Sequence, residues 1–522
     1  MSYPKILDCT LRDGGYYTNW DFDRSLVEKY IKALSKLPVD YVEVGYRSKE
    51  LNGYFGEYRY LPVSTMQWIK NLAGNNLKIA VMLDEKETEI TDIESLIKPI
   101  KEYCDMVRIA VAPDRIELAI KLAKEIKALD LEVGFNIMYM SKISLDEKML
   151  EMINSNKEFI DYFYLVDSFG SVIPEEVNEK FTKAFNSIET KLGFHGHNNL
   201  ELALANSLMA VSSGASIVDA TITGMGRGAG NLKTELFLTY IQSKFGVKFS
   251  FGELVEILNA FEALQKKYNW GTNLPYMISG ANSLPQKDVM SWMSKKRYSI
   301  SAIVQALSNQ SNKELDNYRL PDFTFNELFK DGEHYRRTAI IGGGKSVQEN
   351  IVQIKKFLTE NQDIIVIHSS ARNIGSLLNI PNKQIMCLTG NEGTKLDDES
   401  LSHDIKLISG YVFPPYPRQM GTYVPEKIKD KSYQLKSIDF KNPFNDAPLA
   451  IALQIALQKT GISEVILLGF DGYHETLSQN VELRDETQSI INSFKTYTDI
   501  ELVSFTPTHY NNIKTKSIYA FL

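Results

Sequence analysis

"MVRIAVAPDRIELAIKLAKEIKALDLEVGFNIM", residues 106–138, sets two short apolar runs on either side of a stretch with helical period. MVRIAV and EVGFNIM are each short enough for a buried parallel strand, while PDRIELAIKLAKEIKAL repeats its apolar residues at the spacing of one helix face. The same alternation continues outward. Upstream lie ILDCTL from Ile6, YVEVG from Tyr41 and KIAVML from Lys78; downstream lie YFYLVDS from Tyr162, LGFHGH from Leu192 and IVDATI from Ile217. Between the runs come DRSLVEKYIKAL, PEEVNEKFTKAF and NLELALANSLMAVSSG, all with helical period. Eight strands alternating with helices predict an α/β fold, a (β/α)₈ TIM barrel. An open doubly wound sheet accommodates similar alternation, but eight regular units favour closure.

A chain of 522 residues exceeds what one hydrophobic core organises, so more than one domain is expected. Hydrophobic residues make up 43%, charged residues 24%, and the formal charge is -7, so no broad positive field invites nucleic acid or an anionic membrane. Cys9, Cys104 and Cys387 have no CxxC spacing, which suits a reducing compartment and excludes a thiolate zinc cluster. The opening MSYPKILDCTLRDGG has no basic segment leading into an apolar core, and charges interrupt the long apolar regions. The expectation is a cytoplasmic protein with no signal peptide and no membrane insertion.

Barrel topology turns strand ends into neighbours, because all the strand-to-helix loops open on one face. Arg12 and Asp13 follow the first run, Glu43 lies in the second, Arg108 in the fourth, Asn136 in the fifth and Asp167 in the sixth; His195 and His197 close the seventh. The chain has seven histidines, and the other five lie beyond residue 330. On an extended strand His195 and His197 face the same side. Two imidazoles and one carboxylate, with Asp13 the best candidate, suit a borderline divalent metal. The alternative is a histidine pair hydrogen-bonded to backbone at a strand end.

LDCTLRDGGYYTNWDF, GFHGHNN and, from Gly224, GMGRGAGN together resemble the signature of the metal-dependent pyruvate aldolase and lyase superfamily. That superfamily contains 4-hydroxy-2-oxovalerate aldolase, hydroxymethylglutaryl-CoA lyase and isopropylmalate synthase, and the resemblance covers roughly residues 5–245. It implies a TIM barrel holding Mg²⁺ or Mn²⁺, with Zn²⁺ or Co²⁺ as alternatives, that makes or breaks a carbon–carbon bond through the enolate of an α-keto acid. Carried over residue by residue, it puts metal ligands at Asp13, His195 and His197, a further ligand at Asn231, and the enolate-stabilising arginine at Arg12. A guanidinium, always cationic and rigidly forked, suits that task; its other reading is a salt bridge to a barrel carboxylate. Glu43 and Asp167 either orient Arg12 or a metal-bound water, or satisfy polar groups inside the barrel.

Two departures from the family bear on the substrate. Its aldolases carry a proton-transferring histidine where this chain has Tyr16, a poor general base at the ordinary tyrosine pKa of roughly 10. The lyase branch carries a catalytic cysteine in a Gly-rich loop, and GMGRGAGN has none. An acyl-CoA-dependent synthase is the alternative reaction, and a non-catalytic barrel scaffold a third reading.

Residues 246–330 read as a helical extension and linker; in family aldolases such an extension contributes to the site and to assembly, so a homo-oligomer is expected. Tyr276 and Lys295 are candidates to approach the substrate, with a core tyrosine and a solvated lysine as the plainer readings. From 331 to 522 the chain changes character: RRTAIIGGGKSVQENIVQIKKFL, DIIVIHSS, IKLISGY, VILLGFDGY and IELVSFTPT read as strands of an open, Rossmann-like α/β domain. Gly342, Gly343, Gly344, Lys345 and Ser346 offer amides for a phosphate, without the full Walker or GxGxxG spacing, and a tight turn needs no ligand. The region faintly resembles nucleotide-sugar enzymes and bacterial glycosyltransferases, which implies a nucleotide or nucleotide-sugar ligand, a sugar-derived substrate for the barrel and a place in carbohydrate metabolism. Asp471 and His509 are the polar residues that would serve such a site; strand-end caps are the alternative.

Overall fold

The computed structural model describes residues 3–295, 297–313, 319–329, 334–390, 392–397, 404–418, 420, 423–473 and 478–522. The chain divides into two compact units, Met1–Val289 and Met290–Leu522.

In the first unit eight parallel strands close into a barrel in sequence order: β1 Lys5–Asp8, β2 Tyr41–Tyr46, β3 Lys78–Asp84, β4 Met106–Val111, β5 Glu132–Ile137, β6 Tyr162–Asp167, β7 Lys191–Gly196 and β8 Ala215–Ala220. Closure is made by β1 pairing with β8, Leu7 opposite Asp219, while its other edge pairs with β2. Side chains alternate between two cores. Leu7, Tyr41, Ala80, Met106, Tyr162, Tyr164 and Ile217 fill the interior. Ile6, Val42, Ile79, Val107, Val133, Phe163 and Val218 face the surrounding helices, whose apolar stripes, such as Ile116, Ala119, Ile120 and Ala123, pack onto them.

The first run is shorter as a strand than ILDCTL suggests. Asp8 ends it: the carboxylate accepts from Thr10 N–H at 3.0 Å and from the Thr10 and Tyr30 hydroxyls at 2.5 Å each. The chain then turns into a helix, Thr10–Thr18, that carries Arg12 and Asp13. Beyond the barrel strands come the helices Thr234–Phe245, Phe251–Tyr268 and Leu274–Ala281.

The second unit is built on an open, fully parallel eight-stranded sheet. Its strands are β9 Arg337–Ile341, β10 Ile364–His368, β11 Gln384–Cys387, β12 Gly410–Phe413, β13 Ser432–Gln434, β14 Glu464–Leu468, β15 Glu501–Ser504 and β16 Lys514–Thr515. They lie in the order β13-β12-β11-β10-β9-β14-β15-β16. The order reverses direction between β9 and β14. Alternate residues serve two cores here as well: Ile340, Ile367, Val465 and Leu467 meet the helix Pro448–Gln458 on one face, and Ala339, Val366, Ile466 and Val503 meet the helix Ile351–Glu360 on the other. Of IKLISGY, only Gly410 and Tyr411 are strand, because Asp404–Leu407 forms a 3₁₀ turn. Among the described residues, no helix is long and apolar enough to cross a membrane.

Candidate active site

Helix Thr10–Thr18 sits directly on the exit of β1, so Asp13 reaches inward from one side of the barrel mouth; His195 near the end of β7 and His197 just beyond it reach in from another. A ligand atom from each of these three residues lies within 4.8 Å of the other two. His195 Nε2 is 3.6 Å from Asp13 Oδ2, and the two imidazoles stand edge to face with centroids 5.0 Å apart. Asn231 joins them from the loop after β8: its backbone bridges that of His197, and its side-chain amide donates to Asp13 Oδ2.

The other ring nitrogen fixes each histidine. Nδ1 of His197 donates to the carbonyl oxygen of Asp167 at 2.7 Å, and Nδ1 of His195 donates to Asp219 Oδ2 at 2.8 Å. A carbonyl oxygen and an ionised carboxylate only accept, so both Nδ1 atoms carry hydrogen, and in the neutral ring the lone pair is on Nε2. Asp219 is also held at 2.5 Å by Arg108 Nη2, and Arg108 Nη1 lies 3.1 Å from Glu43 Oε2. Glu43 Oε2 in turn accepts from Arg12 Nε at 2.7 Å, and Arg12 Nη1 reaches Asp13 at 2.5 Å. These side chains form one buried chain of alternating charge, closed beneath by Arg108 stacked on Tyr164.

That chain sets the protonation states. Burial pushes the Asp13 carboxyl up, but Arg12 above all, then His195, His197 and the Asn231 amide, pull it down to about 2. Burial also opposes the charge on Arg12, and the facing Asp13 and Glu43 outweigh it, holding the guanidinium well above its ordinary value. His197 is pushed down to about 4, by burial first and His195 second. Asp219 is held below the usual carboxylate range, Arg108 and His195 overcoming its burial.

An anionic carboxylate and two lone-pair imidazole nitrogens are the donor set of a divalent metal site with positions to spare. Oδ1 of Asn231, buried beside them, accepts no hydrogen bond from any described residue. A cation suits an unpaired acceptor oxygen in such a place. The residues present therefore fit the group.

The remaining predicted residues divide. Glu43 meets Arg12, as the orienting reading anticipates. Asp167 does not. Its carboxylate turns back to accept from Ser171 N–H at 3.0 Å and Val172 N–H at 3.4 Å, and burial lifts it to about 7; its backbone oxygen is what touches the site. Tyr16 lies one turn beyond Asp13 at the mouth, its hydroxyl 3.3 Å from that of Tyr46. Tyr276 is buried, and Asn199 donates to its backbone oxygen at 2.9 Å. Lys295 belongs to the second unit and pairs with the buried Glu486 at 3.2 Å, so it is not a solvated lysine. Arg108 and Asn136 lie inside the barrel on β4 and β5, Arg108 Nε donating to Asn136 Oδ1 at 3.3 Å. Asp219 was not anticipated, although a carboxylate in the middle of the apolar run IVDATI is a visible signal.

The glycine turn after β9 is self-contained. Gly342 N–H donates to Leu468 O at 2.7 Å, Gly344 N–H to Gly469 O at 2.9 Å, and Ser346 N–H to Asp471 Oδ2 at 3.0 Å, with the Ser346 hydroxyl on the same carboxylate. Asp471 thus takes the place at the start of the helix Lys345–Glu349 where a phosphate would accept, and its negative charge opposes one. The glycines answer to packing: a Cβ on Gly344 would lie 2.6 Å from Asp471 Oδ1 and from Gly469 O, and one on Gly342 2.5 Å from Gly469 O. This is the geometry of a tight turn that needs no ligand. His509 N–H donates to the Asp471 backbone oxygen at 3.0 Å, tying the two loops together.

The HMGL-like family model matches residues 3–260. A 4-hydroxy-2-oxovalerate aldolase of Geobacillus thermodenitrificans is 33% identical over 247 residues, which cover 47% of this chain and 70% of that protein. An oxaloacetate decarboxylase of Mycobacterium tuberculosis is 26% identical over 243 residues, 46% of this chain and 70% of that protein. Among solved structures, the N-terminal domain of a candidate aldolase from Bacteroides vulgatus superposes with a TM-score of 0.55 at 49% identity, over 58% of this chain and 99% of that one. On this similarity, spread over the whole barrel that carries Asp13, His195 and His197, the chain belongs to the HMGL-like family of metal-dependent aldolases and lyases.

Proposed function

We propose that the barrel makes or breaks a carbon–carbon bond next to the carbonyl of a 2-oxo acid by way of an enolate, with a divalent ion, Mg²⁺ or Mn²⁺, held by Asp13, His195, His197 and Asn231. The observation that carries this reading is the convergence of Asp13, His195 and His197 with Arg12 locked beside them. The names of both relatives above denote 2-oxo acids. When bound, the ion supplies Lewis-acid stabilisation of the charge that develops on the 2-oxo oxygen.

The chain's own residues do the rest. Arg12 spends Nε on Glu43 and Nη1 on Asp13, and its Nη2 makes no hydrogen bond to any described residue. That edge of the guanidinium donates to the substrate's enolate oxygen, from a position set before substrate arrives. Asp219 and the Asp167 carbonyl fix the orientation of the imidazoles and keep the hydrogen of each neutral ring on Nδ1. The paired hydroxyls of Tyr16 and Tyr46 close the mouth and orient a substrate hydroxyl. Burial, then Tyr16, holds Tyr46 well above the ordinary tyrosine value, so its hydroxyl keeps its proton.

Exchange of the pyruvate methyl protons with D₂O isolates enolisation from the full reaction. The metal-loaded enzyme is expected to catalyse it, and Arg12→Ala to slow it by roughly 10²-fold or more. No exchange by the wild type, or exchange by metal-loaded Arg12→Ala at the wild-type rate, refutes the reading.

A further inference from the structure

The loop after β8 that carries Asn231 is pinned from both sides. The Tyr17 hydroxyl donates to Gly228 O at 2.9 Å, Ala229 N–H to Gln286 Oε1 at 3.3 Å, and Asn231 N–H to Gly224 O at 3.2 Å. Its glycines leave no room: a Cβ on Gly228 would lie 1.8 Å from Gln286 Oε1 and one on Gly230 2.0 Å from Gly224 O, and both residues have positive φ, 65° and 79°. Between Gly226 and Gly230 only one long side chain leaves this backbone, that of Arg227.

Its guanidinium lies 5.1 Å from the centroid of the Tyr16 ring and is half-buried. Among the described residues no carboxylate stands within ion-pair distance of it. The other arginines at this mouth are compensated: Arg12 by Asp13 and Glu43, and Arg59, stacked on Tyr46, by Glu87 at 2.6 Å. Tyr16 follows Asp13 by three residues on one helix, so the ring that Arg227 faces is set about one helical turn along from the Arg12–Asp13 pair. A forked cation on a pinned backbone, with no anion of its own among the described residues, is placed to receive one.

We propose that Arg227 is a specificity-determining residue that binds a second carboxylate at the far end of the substrate, so that the substrate class is a dicarboxylic 2-oxo acid. The proposal rests on the reading of Asp13, His195 and His197 as the site for the 2-oxo-acid head. Tyr16 presents its ring to the guanidinium.

The test is competition against metal-dependent exchange of pyruvate methyl protons in the Mn²⁺-loaded full-length enzyme. The two competitors, 2-oxoglutarate and 2-oxopentanoate, have equal chain length and differ in the charge of the terminal group. In the wild type 2-oxoglutarate is expected to inhibit at a concentration about tenfold or more lower, the effect of a charged hydrogen bond. Arg227→Gln should bring the two inhibition constants close together, Arg227→Lys should keep part of the preference, and Arg227→Glu should invert it. Should exchange by a variant be too slow to follow, calorimetric titration of the same two acids yields the same ratio. Equal inhibition in an exchanging wild type, or an Arg227→Gln variant that keeps the preference or weakens both acids alike, overturns the assignment of Arg227 alone. A wild type that neither exchanges pyruvate nor binds either acid overturns the 2-oxo-acid reading, and this one with it.

Discussion

Each imidazole at the end of β7 has its Nδ1 hydrogen committed to an oxygen that only accepts, which leaves Nε2 as the ligand nitrogen, that of His195 lying 3.6 Å from Asp13 Oδ2. The HxH spacing makes such a pair visible in sequence; what chooses the nitrogen is not. Asp219 and the Asp167 carbonyl come from β8 and β6, and only closure of the barrel brings them to the rings. Asp219 bears the heavier load, because it also neutralises the buried Arg108. Asp219→Asn keeps an acceptor but removes the charge, so Mn²⁺ affinity measured by calorimetry is expected to fall by roughly 10- to 100-fold, in a chain whose far-UV spectrum is unaltered. Wild-type affinity in that variant would remove Asp219 from the account. Asp13, Arg12, His195 and His197 were legible as candidates because two separate motifs carry them. The turn of the Asp167 side chain away from the site was not, because it depends on loop amides at 171 and 172 whose direction no spacing encodes.

At the scale of elements, the barrel strands fall close to the apolar runs because a strand buried on both faces has to be apolar throughout. The exception at the first run has a local cause, the four hydrogen bonds that Asp8 accepts from Thr10, Tyr30 and Thr234. In the second sheet, β11, β13 and β16 escape the pattern: they have 4, 3 and 2 residues, QIMC being too short a run to stand out and SYQ and KT carrying too little apolar signal to read as strands. β10 carries its own consequence. His368 at its end is fully buried, with Nε2 donating to Gln384 Oε1 at 2.7 Å, and burial pushes it down to about 4. Below about pH 6.5 an unfolded chain takes a proton there that the folded one refuses until about pH 4. Stability therefore falls as pH drops through that window, by roughly 3 kcal/mol in all, and this contribution is level above it. The stability difference between wild type and His368→Gln, measured by urea unfolding of the full chain from pH 7 to pH 4, should shrink or reverse by about that amount. Parallel pH profiles would contradict it.

For the whole molecule, composition anticipates more than one folding unit but not where one ends. The chain divides at Val289 and Met290, inside the helix Gln286–Ser294. The parallel architecture of both units follows from alternation of strand and helix, and in each the polar loops gather at the C-terminal strand ends. The two units use that face differently. In the barrel, side chains converge on one point beside an unpaired acceptor; at the β9–β14 reversal of the second sheet, Asp471 and the neighbouring backbone take up the amides of Gly342, Gly344 and Ser346. Charge geometry, which glycine spacing alone does not carry, separates the two cases.

The central claim is that Asp13, His195 and His197 together hold one divalent ion. Titration of the metal-stripped full-length chain with Mn²⁺, followed by electron paramagnetic resonance of the free ion, tests it most directly. One tight site per chain is expected in the wild type, and a loss of affinity of roughly 10²-fold or more in both His195→Ala and His197→Ala. Unchanged stoichiometry and affinity in the two variants would contradict it.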